Sequence, residues 1–238
     1  MKKITMTLLF MSLIMLIISC EFDNYNAPNA ILYGSFKDKT TGDLVQQELL
    51  SGSQIEYIEH GYANVQSQFM ICKVDGNYKN SSMFAGTYDL VLKNGNYVPL
   101  DTIKDVVIAA GSNKKDFEVQ PYIRLKDVKI ERIRDTLIVA TFKVERTIVT
   151  TKVQTIGLFG HTDLQVAANL KLVQTLDYIN VATDLATTYR LEINLKTSTA
   201  LKNLAFRSKD FYFRVGALVD VPNAKFNYAP SVKITCYQ

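Results

Sequence analysis

Two histidines are the first residues to weigh for chemistry, because imidazole can move protons near neutral pH or ligate a metal. His60 closes the run Glu56-Tyr57-Ile58-Glu59-His60. A zinc site of the inverted type needs His-x-x-Glu-His, and Glu56 stands where the first histidine belongs. If this run is a strand, Glu56, Ile58 and His60 share one face and Glu59 points away, so the spacing scatters the ligands that such a site must gather. His161, in Phe159-Gly160-His161-Thr162-Asp163, sits where it could pair with Asp163. A histidine base still needs a nucleophile, and no serine or cysteine is recognisably placed beside it. No Gly-rich phosphate loop with its lysine occurs either. The expectation is a non-catalytic protein with no metal and no cofactor.

Binding requires less. Sugar sites on β-sheets combine aromatic faces with a few hydrogen-bonding groups. Tryptophan is absent, which removes the largest stacking platform, but 13 tyrosines remain. The densest mixture of tyrosine and polar side chains is Glu56-Tyr57-Ile58-Glu59-His60-Gly61-Tyr62, followed by Asn64 and Gln66. Tyr57, His60, Tyr62 and Asn64 are therefore the candidate ligand-binding residues. The competing assignment has Tyr57 and Tyr62 capping the core, with only the polar residues facing water.

Cysteine chemistry points to an address. Met1-Lys2-Lys3 is a short basic start, and the following apolar run is too short to span a membrane comfortably, so residues 1–19 have the form of an export signal. The run ends Leu16-Ile17-Ile18-Ser19-Cys20, which resembles the bacterial lipobox. That resemblance implies lipidation of Cys20 and a lipid anchor in a membrane, since each buried CH₂ contributes roughly 0.8 kcal/mol. Residues 20–29, polar and with a proline, have the composition of a flexible tether. Glu21 and Asp23 resemble the surface-export signal of Bacteroidetes lipoproteins, which leans the expected location towards the cell surface. Cys72 and Cys236 lie in apolar, strand-like stretches, and free packed thiols are favoured over a disulfide across two domains.

The elements that must position these residues are strands. Apolar residues fall in short runs with period-two alternation, as at 31–36, 54–58, 87–92 and 106–108, separated by turn chemistry at Thr41-Gly42-Asp43, Asp75-Gly76-Asn77 and Asn94-Gly95-Asn96. The pattern breaks near Val119-Gln120-Pro121-Tyr122, because proline cannot donate to a central ladder. It restarts with strands expected at 123–130, 136–144, 153–159, 189–195, 211–219 and 231–236, while 163–185 is irregular enough for a short helix or a long connection. The fold class is all-β: two tandem antiparallel β-sandwiches, at 30–120 and 121–238. Once Lys2 and Lys3 leave with the signal, 25 basic side chains face 23 acidic ones, a net charge of +2, and the charges are interspersed. No nucleic-acid partner is expected.

Gly34-Ser35-Phe36-Lys37-Asp38, Thr41-Gly42, Asp75-Gly76-Asn77-Tyr78 and Ala85-Gly86-Thr87-Tyr88-Asp89-Leu90, in that order, resemble the transthyretin-like or carboxypeptidase regulatory-like sandwich, whose members are usually scaffolds or spacers. Asp210-Phe211-Tyr212-Phe213-Arg214-Val215-Gly216-Ala217 is similar to the penultimate strand of an immunoglobulin or fibronectin III sandwich. With Cys20-Glu21-Phe22-Asp23-Asn24-Tyr25, the combination resembles a family of Bacteroidetes outer-membrane lipoproteins. That resemblance implies an accessory role in glycan capture or assembly beside SusC/SusD-like import proteins; a subunit or anchor of a pilus-like fibre is the alternative.

Overall fold

The structure is a computed structural model describing residues 26–134, 136–197 and 210–236. The export segment and Cys20 lie outside the described residues. Within them the protein is all-β. The first half contains β1 (Ala30–Asp38), β2 (Gln54–Glu59), β3 (Gln68–Ile71), β4 (Asn77–Met83), β5 (Gly86–Lys93), β6 (Ile103–Ile108), β7 (Gly111–Lys114) and β8 (Phe117–Val119). One sheet runs β3-β2-β5-β6; the other runs β4-β1-β7, with β8 also on β1. Every pair is antiparallel except β1 with β7 and with β8. These two depart from the expected antiparallel pattern because the chain passes from β6 to the opposite sheet and then runs alongside β1 in the same direction. Alternation explains the packing: Leu32 and Phe36 from β1 meet Ile55 from β2 and Leu90 from β5, all fully buried.

The second half contains β9 (Ile123–Arg134), β10 (Leu137–Arg146), β11 (Val153–His161), β12 (Val173–Asp177), β13 (Tyr189–Asn194), β14 (Asp210–Val219), β15 (Asn227–Tyr228) and β16 (Val232–Thr235). Its sheets are β13-β10-β9 and β12-β11-β14-β15, with β16 also on β14. Ile138, Ala140, Phe142 and Val144 of β10 face Leu158, Phe213 and Val215 across the sandwich. Burying each large apolar side chain contributes about 1.5–3 kcal/mol, so the alternation that makes the strands also makes the core.

The irregular stretch 163–185 holds β12 rather than a helix. Within β12, Val173 is the one buried residue, and it pairs with Gly160 of β11. Cys72 and Cys236 are free and buried in separate cores, and burial pushes the Cys72 thiol up to about 12. The turn at 94–96 works differently from the other two. Asn94, not Gly95, has positive φ (54°), and Gly95 is required because a Cβ there would lie 2.4 Å from the Tyr97 ring. Each of the described strands has at least one paired neighbour.

Candidate functional site

The sequence points first to the β2–β3 loop. Tyr57 lies just before it, within β2, and is buried at 8% exposure, so its ring offers no open face for stacking. Its hydroxyl donates to Gln68 Oε1 at 2.8 Å and accepts from Asn80 Nδ2 at 3.1 Å, tying the edges of the two sheets together. The strand period explains this: Ile55 and Tyr57 both point inward, and the Tyr88 ring lies 6.2 Å from that of Tyr57. Tyr62 is 63% exposed, and His60 and Asn64 also face solvent. Tyr57 and Tyr62 therefore form no shared stacking platform.

His60 has partners that the sequence did not suggest. Its Nε2 lies 3.0 Å from Asp89 Oδ1 and its Nδ1 3.8 Å from Asp105 Oδ1. A bulge in β6 brings this about: Asp105 has φ 56°, and its N–H donates to Asp89 Oδ1 at 3.0 Å. That backbone hydrogen bond, with His60 after it, holds the Asp89 carboxyl below its ordinary range. One ligand atom from each of the three residues lies within 4.8 Å of the others, a donor set that a divalent cation could use. The two ring nitrogens of His60 face different carboxylates, however, so the arrangement is a polar clip between the end of β2 and strands β5 and β6. Glu56 takes no part and pairs with Lys93 at 3.0 Å.

His161 does not pair with the Asp163 carboxylate. Its Nδ1 accepts the backbone N–H of Asp163 at 2.8 Å, while Asp163 Oδ1 accepts the N–H of Gln165. This closes a turn, and the Asp163 carboxylate does not orient the imidazole as a base.

The most organised polar region lies between the sandwiches. Arg214, at the centre of β14, is 1% exposed. Its Nε donates to Ala229 O, Nη1 to Gln47 O and Val166 O, and Nη2 to Gln46 Oε1 and Val74 O, at 2.8–3.3 Å. All five guanidinium donors are thereby used, three of them on the first sandwich. The guanidinium carbon sits 4.3 Å from the centre of the Tyr228 ring. Tyr228 donates to Glu48 Oε2 at 2.8 Å, which places a carboxylate near the buried cation. Burial lowers the Arg214 pKa to about 10 and raises that of Tyr228, so at neutral pH the arginine keeps its charge and the phenol its proton.

Two further bridges flank it. Asn96 donates to Gln46 O and Phe226 O and accepts from Gln47 Nε2, while Asn227 donates to Asn96 O and accepts the N–H of Ile123. Arg124 grips Asp38 in a two-pronged contact, Nε to Oδ2 at 2.5 Å and Nη2 to Oδ1 at 3.0 Å. Burial alone would raise the Asp38 pKa, but Arg124 and the backbone N–H groups of Thr40 and Thr41 outweigh it and hold the carboxyl below its ordinary value.

Beside this last bridge the junction opens into a cleft of about 390 Å³. One wall comes from the segment that carries Asp38, Asp43 and Leu44, and the other from those that carry Arg124, Lys126 and Pro230. Sequence reading missed this region because its partners are up to 180 residues apart. The only visible signal was an arginine in the middle of an otherwise apolar strand, Phe211-Tyr212-Phe213-Arg214-Val215.

Comparison with known proteins places the whole arrangement. A Bacteroides uniformis protein described as a "putative carbohydrate binding protein" is 37% identical, with 87% of this chain and 99% of that one covered and a TM-score of 0.78. DUF3823 family proteins from Parabacteroides merdae (19% identity, 88% and 100% covered, TM-score 0.72) and Bacteroides ovatus (23%, 87% and 100%, 0.70) share the fold. A search of the curated proteins returns no match. The family "Protein of unknown function (DUF3823) N-terminal domain" matches residues 30–120 and "Domain of unknown function (DUF3823_C)" matches 123–233, so the chain belongs to the DUF3823 family.

Proposed function

We propose that this protein is a non-catalytic, carbohydrate-binding lipoprotein of the bacterial outer surface, anchored through Cys20 and acting beside SusC/SusD-like import proteins in glycan capture or assembly. The observation that carries the reading is the similarity, over 87% of this chain and 99% of that one, to the Bacteroides uniformis protein described as a "putative carbohydrate binding protein". The lipobox-like run before Cys20 supports the anchor, and the absence of an Asp163–His161 pair weakens the case for hydrolysis. A pilus-like subunit that assembles by strand addition needs a detachable or missing strand, and the pairing of every described strand gives that alternative no support.

Affinity electrophoresis and a glycan array on residues 21–238 test the binding. Retention by at least one glycan is expected, and no retention across the panel would reject the reading. For the anchor, Cys20→Ala should move the protein from the membrane to the soluble fraction and abolish incorporation of labelled fatty acid. A variant that stays membrane-bound would show that Cys20 is not the anchor.

A further inference from the structure

We infer that the cleft at the junction of the two sandwiches is the carbohydrate site and that it takes a neutral saccharide. This rests on the carbohydrate-binding reading above and adds where the sugar sits and of what class it is. The cleft has the form such sites favour: it lies between domains and, at about 390 Å³, falls within the roughly 300–1,000 Å³ usual for small-ligand clefts.

Its floor is rigid. Asp38 and Arg124 hold each other across the junction, and Arg124 also donates to Glu145 Oε1 at 3.3 Å. Nearby, Asn227 is buried and held by Ile123 and Asn96. A ligand entering here meets a floor that needs no ordering, which lowers the entropic cost of binding.

Asp43 and Lys126 stand on opposite walls, and among the described residues neither side chain has an ion pair or a hydrogen bond. Neither reaches the other, so a gap separates an acceptor from a donor. A hydroxyl both accepts and donates, and a saccharide ring presents several around one rim, so it can satisfy both walls at once. Leu44, Pro121, Leu125 and Pro230 supply apolar surface for the C–H faces of the ring.

Charge selects the class. Asp38 and Asp43 balance Arg124 and Lys126 in the lining, and Arg124 is already committed to Asp38. No net positive field remains to favour a uronate or sulfate over a neutral sugar. The one aromatic ring among the described lining residues, Tyr228, is 7% exposed and faces Arg214, so affinity comes from hydrogen bonds rather than stacking.

The test is affinity electrophoresis of residues 21–238 in gels containing starch, laminarin, mannan or xylan, and separately polygalacturonate or chondroitin sulfate. The wild type is compared with Asp43→Ala, Lys126→Ala, the double variant that combines them, and Tyr62→Ala. Circular dichroism checks that each variant folds. Retention by a neutral polysaccharide should weaken roughly tenfold in the Asp43→Ala/Lys126→Ala double variant, from the loss of two hydrogen bonds, and stay unchanged in Tyr62→Ala. Retention of the wild type with no loss in the double variant would overturn the cleft while leaving carbohydrate binding intact. Retention only by the acidic polymers, strengthened by Asp43→Ala, would overturn the neutral class. Failure of the wild type to be retained by any polymer would reject the reading on which the cleft depends.

Discussion

At the loop end of the first sandwich, His60, Tyr62 and Asn64 face water, and the His60 side chain lies against two carboxylates of its own sheet, those of Asp89 and Asp105. At the junction, Arg214, Asn96, Asn227 and Asp38 are buried, and each reaches residues of the other sandwich. Both regions are polar. They differ in what it would cost to change them, because a buried group that loses its partner keeps its desolvation penalty while an exposed one finds water. The comparison teaches that polar composition alone does not separate a wet surface from a fixed junction; what separates them is whether a partner distant in sequence reaches the polar groups.

The sharpest way to break this contrast is Arg214→Ala, which would take a donor from each of five acceptors and leave a cavity against Tyr228. Unfolding in urea, followed by circular dichroism, should show a loss of about 3–5 kcal/mol, the range for removing one member of a buried charged network. A loss under about 1 kcal/mol would place the junction in the class of surface contacts. Asn227→Ala, which strips partners from Ile123 N and Asn96 O, should cost about 1–3 kcal/mol in the same measurement.

Acid should act at the junction through Asp38. Its folded pKa lies below the 3.8 of the free carboxyl, so its contribution is complete above that value and is lost as the pH falls through the lower folded value. The wild type should therefore lose stability on acidification below about pH 4, and Asp38→Asn, less stable at neutral pH, should lose less. An identical acid dependence in both proteins would remove Asp38 from the account. The smallest effects belong to the loop end: His60→Ala and Tyr62→Ala should each change the unfolding free energy by no more than about 0.5 kcal/mol.

The strands were legible in the sequence because burial on one face writes itself as alternation, as in Ile138, Ala140, Phe142 and Val144. Strand β12 was not, since Gln174 and Thr175 interrupt its apolar residues and only Val173 is fully buried. The loop-end candidates were legible as composition, and the structure leaves His60, Tyr62 and Asn64 exposed while moving Tyr57 into the core. The junction was illegible for a physical reason. Gln46, Gln47 and Glu48 have the composition of a surface loop, yet Gln47 and Glu48 are buried where Arg214 and Tyr228, more than 160 residues away, reach this segment.

The central claim is that the two sandwiches behave as one unit because the junction is built into both. The chain without its signal and Cys20 carries one buried thiol in each sandwich, Cys72 in the first and Cys236 in the second. Labelling the two thiols across a urea series, with each cysteine read separately by mass spectrometry, reports the unfolding of each half. A single midpoint shared by Cys72 and Cys236 is the predicted result, and two well-separated midpoints in the wild type would contradict it.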